Sequence, residues 1–81
     1  MNLQHKIIRE MLCKMVRPTA HDILSAYLPN REYTAIYYAD VEQEDLNYIA
    51  DIRLNCSESA VKKYRKSGYE KLAAIYFPKK E

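Results

Sequence analysis

One glycine, Gly68, and three prolines, Pro18, Pro29 and Pro78, are all that this 81-residue chain offers for sharp reversals. An all-β fold needs far more turn material than that. The apolar residues instead recur at helical spacing between capping residues. The pattern predicts an all-α domain of about five helices.

The helices can be placed in turn. Asn2 caps a first one, whose apolar positions Leu3, Ile7, Met11, Leu12 and Met15 follow a helical period, and Pro18 ends it. Thr19 and Asp22 have capping-box spacing and open a short second helix through Ile23, Leu24 and Tyr27. Pro29 stops that helix. Asn30 caps a third, from about Arg31 to Ala39, with Ala35, Ile36 and Tyr38 inward. Asp40 to Glu44 reads as an acidic connector. Leu46, Ile49, Ala50 and Leu54 mark a fourth helix, and Ser57 caps a fifth that reaches Phe77. Residues 78–81 read as a frayed tail. The expected core is Ile36, Leu46, Ile49, Ala50, Leu54, Val61, Tyr64 and Leu72, with small Ala50 where the fourth and fifth helices cross.

Composition fits a single domain, residues 1–81, with one modest core: 48% of its residues are hydrophobic. Cys13 and Cys56 are too few for a disulfide framework, so a reducing compartment is expected. Cys13 reads as a core thiol and Cys56 as a small apolar plug. The opening residues lack the apolar run of a signal peptide or membrane span, and a cytoplasmic location is expected. No Gly-rich phosphate loop or nucleophile motif is present, so no enzymatic activity and no cofactor are expected. His5, Cys13, His21 and Cys56 total four potential zinc ligands, but none has the paired spacing of a zinc site.

The segment from Asn55 to Leu72 carries the functional signal. Asn55 tolerates a left-handed turn position, Ser57 is a good N-cap, and Glu58 suits the positive end of a helix. Val61, Tyr64 and Gly68 then form one narrow buried stripe, with Lys62, Lys63, Arg65 and Lys66 around the rest of the cylinder. Such a helix suits the major groove of DNA. Ser57 and Ser59 can meet phosphate or base edges, and Glu58 can accept from cytosine. The plainer reading makes Ser57 and Glu58 a cap alone, and the cations a solvated face.

Charge is unevenly divided. Residues 1–52 hold five Lys/Arg against eight Asp/Glu, a net of −3; residues 53–81 hold eight against three, a net of +5. A basic third beside an acidic middle is a usual way to build a polyanion-binding face. Eight tyrosines are the other unusual component. Most are expected to bury a ring while keeping the hydroxyl wet, with Tyr33, Tyr37 and Tyr48 partly outward.

From Leu28 to Leu72 the chain resembles domain four, the C-terminal promoter-reading domain, of sigma-70 family RNA polymerase sigma factors. Leu28-Pro29-Asn30-Arg31-Glu32 matches the family's Leu-Pro-x-Arg-Glu opening. Ala35 to Tyr38 match the hydrophobic helix, Asp40 to Asp45 the polar loop, and Leu46, Ile49 and Ala50 the scaffold helix. Ser57, Val61, Lys71 and Leu72 match the recognition helix. Leu54-Asn55-Cys56 stands where the family has Leu-Gly-hydrophobic, and the turn is one residue longer. Either Asn55 supplies the left-handed residue, or the recognition helix is re-aimed. No counterpart of the promoter-melting domain is present.

The resemblance implies a helix-turn-helix from residues near 43–54 and 58–76. It implies a sigma-like portion over 28–76, an N-terminal helical extension over 1–27, and a stand-alone regulator of the kind carried by phages and mobile elements. Its implied partner is duplex DNA, bound through Ser57, Glu58, Ser59, Lys62, Lys63, Arg65 and Lys66. The alternative it implies is an adaptor or anti-sigma-like protein docked on the flap of the RNA polymerase β subunit. Glu32, Asp40, Glu42, Glu44, Asp45, Tyr33 and Tyr37 would then be the working surface. The first helix either completes the core or pairs with a second copy, as in dimeric repressors.

Overall fold

The computed structural model describes residues 2–78; residues 79–81 of the expected tail lie outside the described residues. Among those described there are five helices and no strand. They are α1 (Leu3–Lys14), α2 (Arg17–Tyr27), α3 (Asn30–Ile36), α4 (Leu46–Tyr48) and α5 (Glu58–Tyr76). Helices α3 and α4 run on directly into wider π-type turns, Tyr37–Val41 and Ile49–Leu54. The chain is all-α.

Helix starts follow local chemistry, with three corrections to the expected punctuation. The Asn2 side chain accepts from the Gln4 amide at 2.8 Å, so α1 begins at its predicted cap. Its end comes earlier than Pro18, because Met15 and Val16 are extended and make the corner to α2. Pro18 then lies in the first turn of α2, where a missing N–H costs nothing and a fixed φ is already helical. Thr19 and Asp22 are therefore not a cap; α2 begins at Arg17 without a side-chain cap bond. Asn30 is likewise the first residue of α3, and Pro29 occupies the cap position.

The core has two adjoining clusters. Ile8 and Leu12 of α1 and Ala20 and Leu24 of α2 pack with Leu28, Ile36, Tyr69, Leu72 and Ala73. Ala35, Ile49, Ala50 and Val61 form the second cluster, with Leu46, Leu54, Cys56 and Tyr64 partly buried against it. Helices α1 and α2 therefore share a core with the segment that follows them. The inward stripe of α1 is rotated from the expected one: Ile8 is buried, while Leu3 and Ile7 are 71% and 45% exposed. Cys13 also departs from expectation. It is exposed, and its thiol donates to the Asp40 carbonyl at 3.1 Å.

One antiparallel seam fixes α5 on α3. Glu32, Ile36 and Asp40 are spaced four residues apart and meet α5 in turn. The middle contact is closest at Gly68, where an added Cβ would lie 2.5 Å from the Ile36 Cδ1 methyl and would force that methyl to shift. Polar contacts flank this close approach. Glu32 accepts from Ser67 Oγ at 2.6 Å and from Lys71 Nζ at 2.7 Å. Asp40 accepts from Arg65 Nη2 at 2.6 Å and from the Tyr69 hydroxyl. Asp40 is only 6% exposed, so it is part of the interior and not the start of an acidic connector. The π-type turn after Ile36 keeps it facing α5.

Candidate nucleic-acid interface

The turn before α5 is built twice over in this chain. Each π-type turn is followed by a residue in the left-handed region, Gln43 with φ 58° two residues after the first and Asn55 with φ 50° directly after the second. In each case the next amide reaches back six residues, Glu44 to the Tyr38 carbonyl at 2.8 Å and Cys56 to Ala50 at 2.9 Å. The left-handed residue thus satisfies carbonyls that the helix end leaves without partners. Asn55 fills the role its sequence position suggested. Ser57 then caps α5, its hydroxyl accepting from the Ala60 amide at 3.1 Å.

Arg53 ties the two turns together. It donates two hydrogen bonds of 2.6 Å to Glu44, and its guanidinium lies 3.6 Å from the centre of the Tyr38 ring and 5.7 Å from that of Tyr48. The paired hydrogen bonds from Arg53 hold the Glu44 carboxyl below its ordinary range. Burial pushes the Glu32 carboxyl up, but the hydrogen bonds from Lys71 and Ser67 and the Lys71 charge outweigh it and leave it low. Burial, with the Asp40 charge and hydrogen bond added, pushes the Tyr69 phenol well above its ordinary value.

These pairings sort the cations of the basic third. Arg53 is held by Glu44, Arg65 by Asp40 and Lys71 by Glu32. Lys79 and Lys80 lie outside the described residues. Lys62, Lys63 and Lys66 remain, all exposed, and none makes an ion pair among the described residues. Helical spacing puts them on one outer face, opposite buried Val61, Gly68 and Leu72. Ser57, Glu58 and Ser59 are exposed at the start of the same helix. The seven residues expected to contact DNA thus fall together on the first half of α5. Arg65 differs from the rest, because its charge is matched by a buried carboxylate.

Two further residues lie beside α5 that the sequence does not place there. Arg31 is exposed on α3 and donates to the Tyr64 hydroxyl at 2.9 Å, which brings a further cation beside α5. Its place in the Leu-Pro-x-Arg-Glu run was the only available signal. His5 stacks on Tyr69 with ring centroids 5.7 Å apart, a juxtaposition no local pattern could reveal.

The acidic front is mostly committed internally. Glu32, Asp40 and Glu44 are paired as above, and Glu42 binds Arg17 at 2.7 Å. Tyr33 and Tyr37 stack on each other, and His21 Nδ1 lies 2.6 Å from the Tyr33 hydroxyl. Both rings are half-buried. Among the described residues no three His, Cys, Asp or Glu side chains converge as a metal site would require, and no helix is long and apolar enough to cross a membrane. A scan of protein-family models and searches of curated proteins and solved structures return no match to this chain.

Proposed function

We propose that this protein is a DNA-binding transcriptional regulator. In this reading α4 with its π-type turn and α5 form a helix-turn-helix, and α5 enters the major groove. The supporting observation is the sorting of charge on α5. Its cations facing α3 are matched by buried carboxylates, whereas Lys62, Lys63 and Lys66 on the outer face are left available to phosphates. Ser57, Glu58 and Ser59 stand at the end of the helix that reaches base edges in such motifs. The resemblance of residues 28–72 to sigma-70 domain four agrees with this reading.

Docking on the polymerase flap is the weaker reading, because the acids and tyrosines it would use are largely engaged within the fold. A Lys62→Glu/Lys66→Glu protein separates the two. Both positions are exposed, so the variant folds, yet it loses affinity for duplexes of every sequence. The slope of log affinity against log salt becomes shallower by roughly 0.9 for each phosphate contact removed. If the folded variant binds DNA as the parent does but no longer affects transcription, the flap adaptor replaces the DNA reader.

A further inference from the structure

Residues 44–54 form a unit bracketed by two left-handed residues, Gln43 and Asn55. Within it only Leu46–Tyr48 is α-helical, and the wider turn Ile49–Leu54 follows at once. So short a helix with so wide a turn has little stiffness of its own. Arg53 closes the unit from end to end. Its two bonds of 2.6 Å reach Glu44, nine residues back and just ahead of α4. The guanidinium also lies 3.6 Å from the centre of the Tyr38 ring, which roots the pair on the turn after α3. A fork of this kind fixes orientation as well as distance.

Helix α5 takes its direction from this unit, since Asn55, Cys56 and Ser57 lead straight from it into the helix. In its first half α5 buries only Val61 completely, in the cluster with Ala35, Ile49 and Ala50, and Tyr64 is half-buried beside it. A helix on so narrow a seam rolls unless the unit beneath it is stiff. Its side chains reach about 5–6 Å from the axis, so a roll of about 10° moves their tips by about 1 Å. Lysine arms absorb such a shift at a phosphate, whereas hydrogen bonds to base edges hold only within about 0.5 Å.

We propose that the Arg53–Glu44 fork sets the roll of α5, and with it the discrimination between DNA sequences, without itself touching DNA. The proposal rests on the DNA-binding reading above. The paired side chains are 30% and 23% exposed, and a pair at that depth contributes little to stability, so breaking it leaves the fold standing.

The test uses the full chain. A preferred site is selected with the parent protein from a pool of randomised duplexes, and affinities are then measured for that site and for a scrambled duplex. Arg53→Met keeps an apolar stem over Tyr38, and Glu44→Ala frees the guanidinium. By charge alone the first weakens and the second tightens binding to every duplex. Positioning predicts otherwise: each lowers the preference for the selected site by roughly tenfold, and the double variant by no more than either single one. Affinity for the scrambled duplex changes by no more than about twofold, and its salt slope is unchanged, because no phosphate contact is lost. Arg53→Lys keeps the charge but not the fork, loses the same preference, and stands in if another variant does not fold.

An unchanged preference in the folded variants overturns the proposal. So does the pattern of charge alone, with Arg53→Met weakening both duplexes at a shallower salt slope and Glu44→Ala tightening both, which makes Arg53 a phosphate contact. A parent that binds duplexes but selects no sequence overturns the role of the fork and leaves the DNA reading standing. A parent that binds no duplex overturns both.

Discussion

Replacing Gly68 with Ala sets two effects of known sign against each other. In an exposed helix interior the change would stabilise the protein by about 1 kcal/mol, because Ala gives up less backbone entropy. Here the added Cβ falls 2.5 Å from Ile36 Cδ1 and 3.4 Å from Glu32 Cβ. Ile36 is fully buried, so its methyl group can shift only by moving within the core. Overpacking of this kind costs about 1–3 kcal/mol, and the balance is a net loss of roughly 1 kcal/mol. For a domain of this size that lowers Tm by about 4–8 °C. Ile36→Val removes the obstructing methyl and alone costs about 0.5–1.5 kcal/mol. The double variant should therefore be more stable than the two single losses predict, with a coupling of about 1 kcal/mol by urea denaturation. A Gly68→Ala protein that gains stability, or a cycle with no coupling, refutes the close crossing of α3 and α5.

Asp40→Ala strips Arg65 and Tyr69 of their shared acceptor. With Arg65 only partly buried, the loss should be about 2–3 kcal/mol in urea denaturation, and a change under 1 kcal/mol contradicts the buried pair. Asn55→Ala forces an ordinary residue to φ 50° and should cost about 1 kcal/mol, whereas Asn55→Gly should be close to neutral; equal losses would remove the left-handed requirement. The Glu32 and Glu44 carboxyls are lower in the folded state than their ordinary value of 4.5. Their contribution is therefore complete above that pH and is lost as pH falls through the lowered folded values. Acid titration of Lys71→Met, followed by circular dichroism, should show a flatter acid limb than the parent, and an identical limb argues against the Glu32 pairing.

The parts legible in the sequence are those set by neighbouring residues. Asn2, Asn55 and Ser57 act on amides or dihedrals within a few positions, and each occupies the place its chemistry suggests. Pro18 is ambiguous in the sequence because proline marks both the end of one helix and the first turn of the next. The α1 stripe differs from the expected one by one position, since Leu3 and Ile7 share helical spacing with the residues that do turn inward. Asp40 could not be recognised as interior from local pattern, because its charged partner is 25 residues away and a π-type turn sets its direction. The same limit applied to the basic helix. Lys62 and Arg65 look alike in sequence, and only Asp40, in the π-type turn after α3, distinguishes the outward cation from the one already paired.

The most direct test of the central claim is to titrate the isotope-labelled protein with a short duplex and map the perturbed amides by NMR. The account predicts that the largest changes fall on residues 57–66, weaken steeply as salt is raised, and spare Tyr33, Tyr37 and residues 42–45. Perturbation centred on the Tyr33–Tyr37 stack, or no change along the first half of α5, would contradict it.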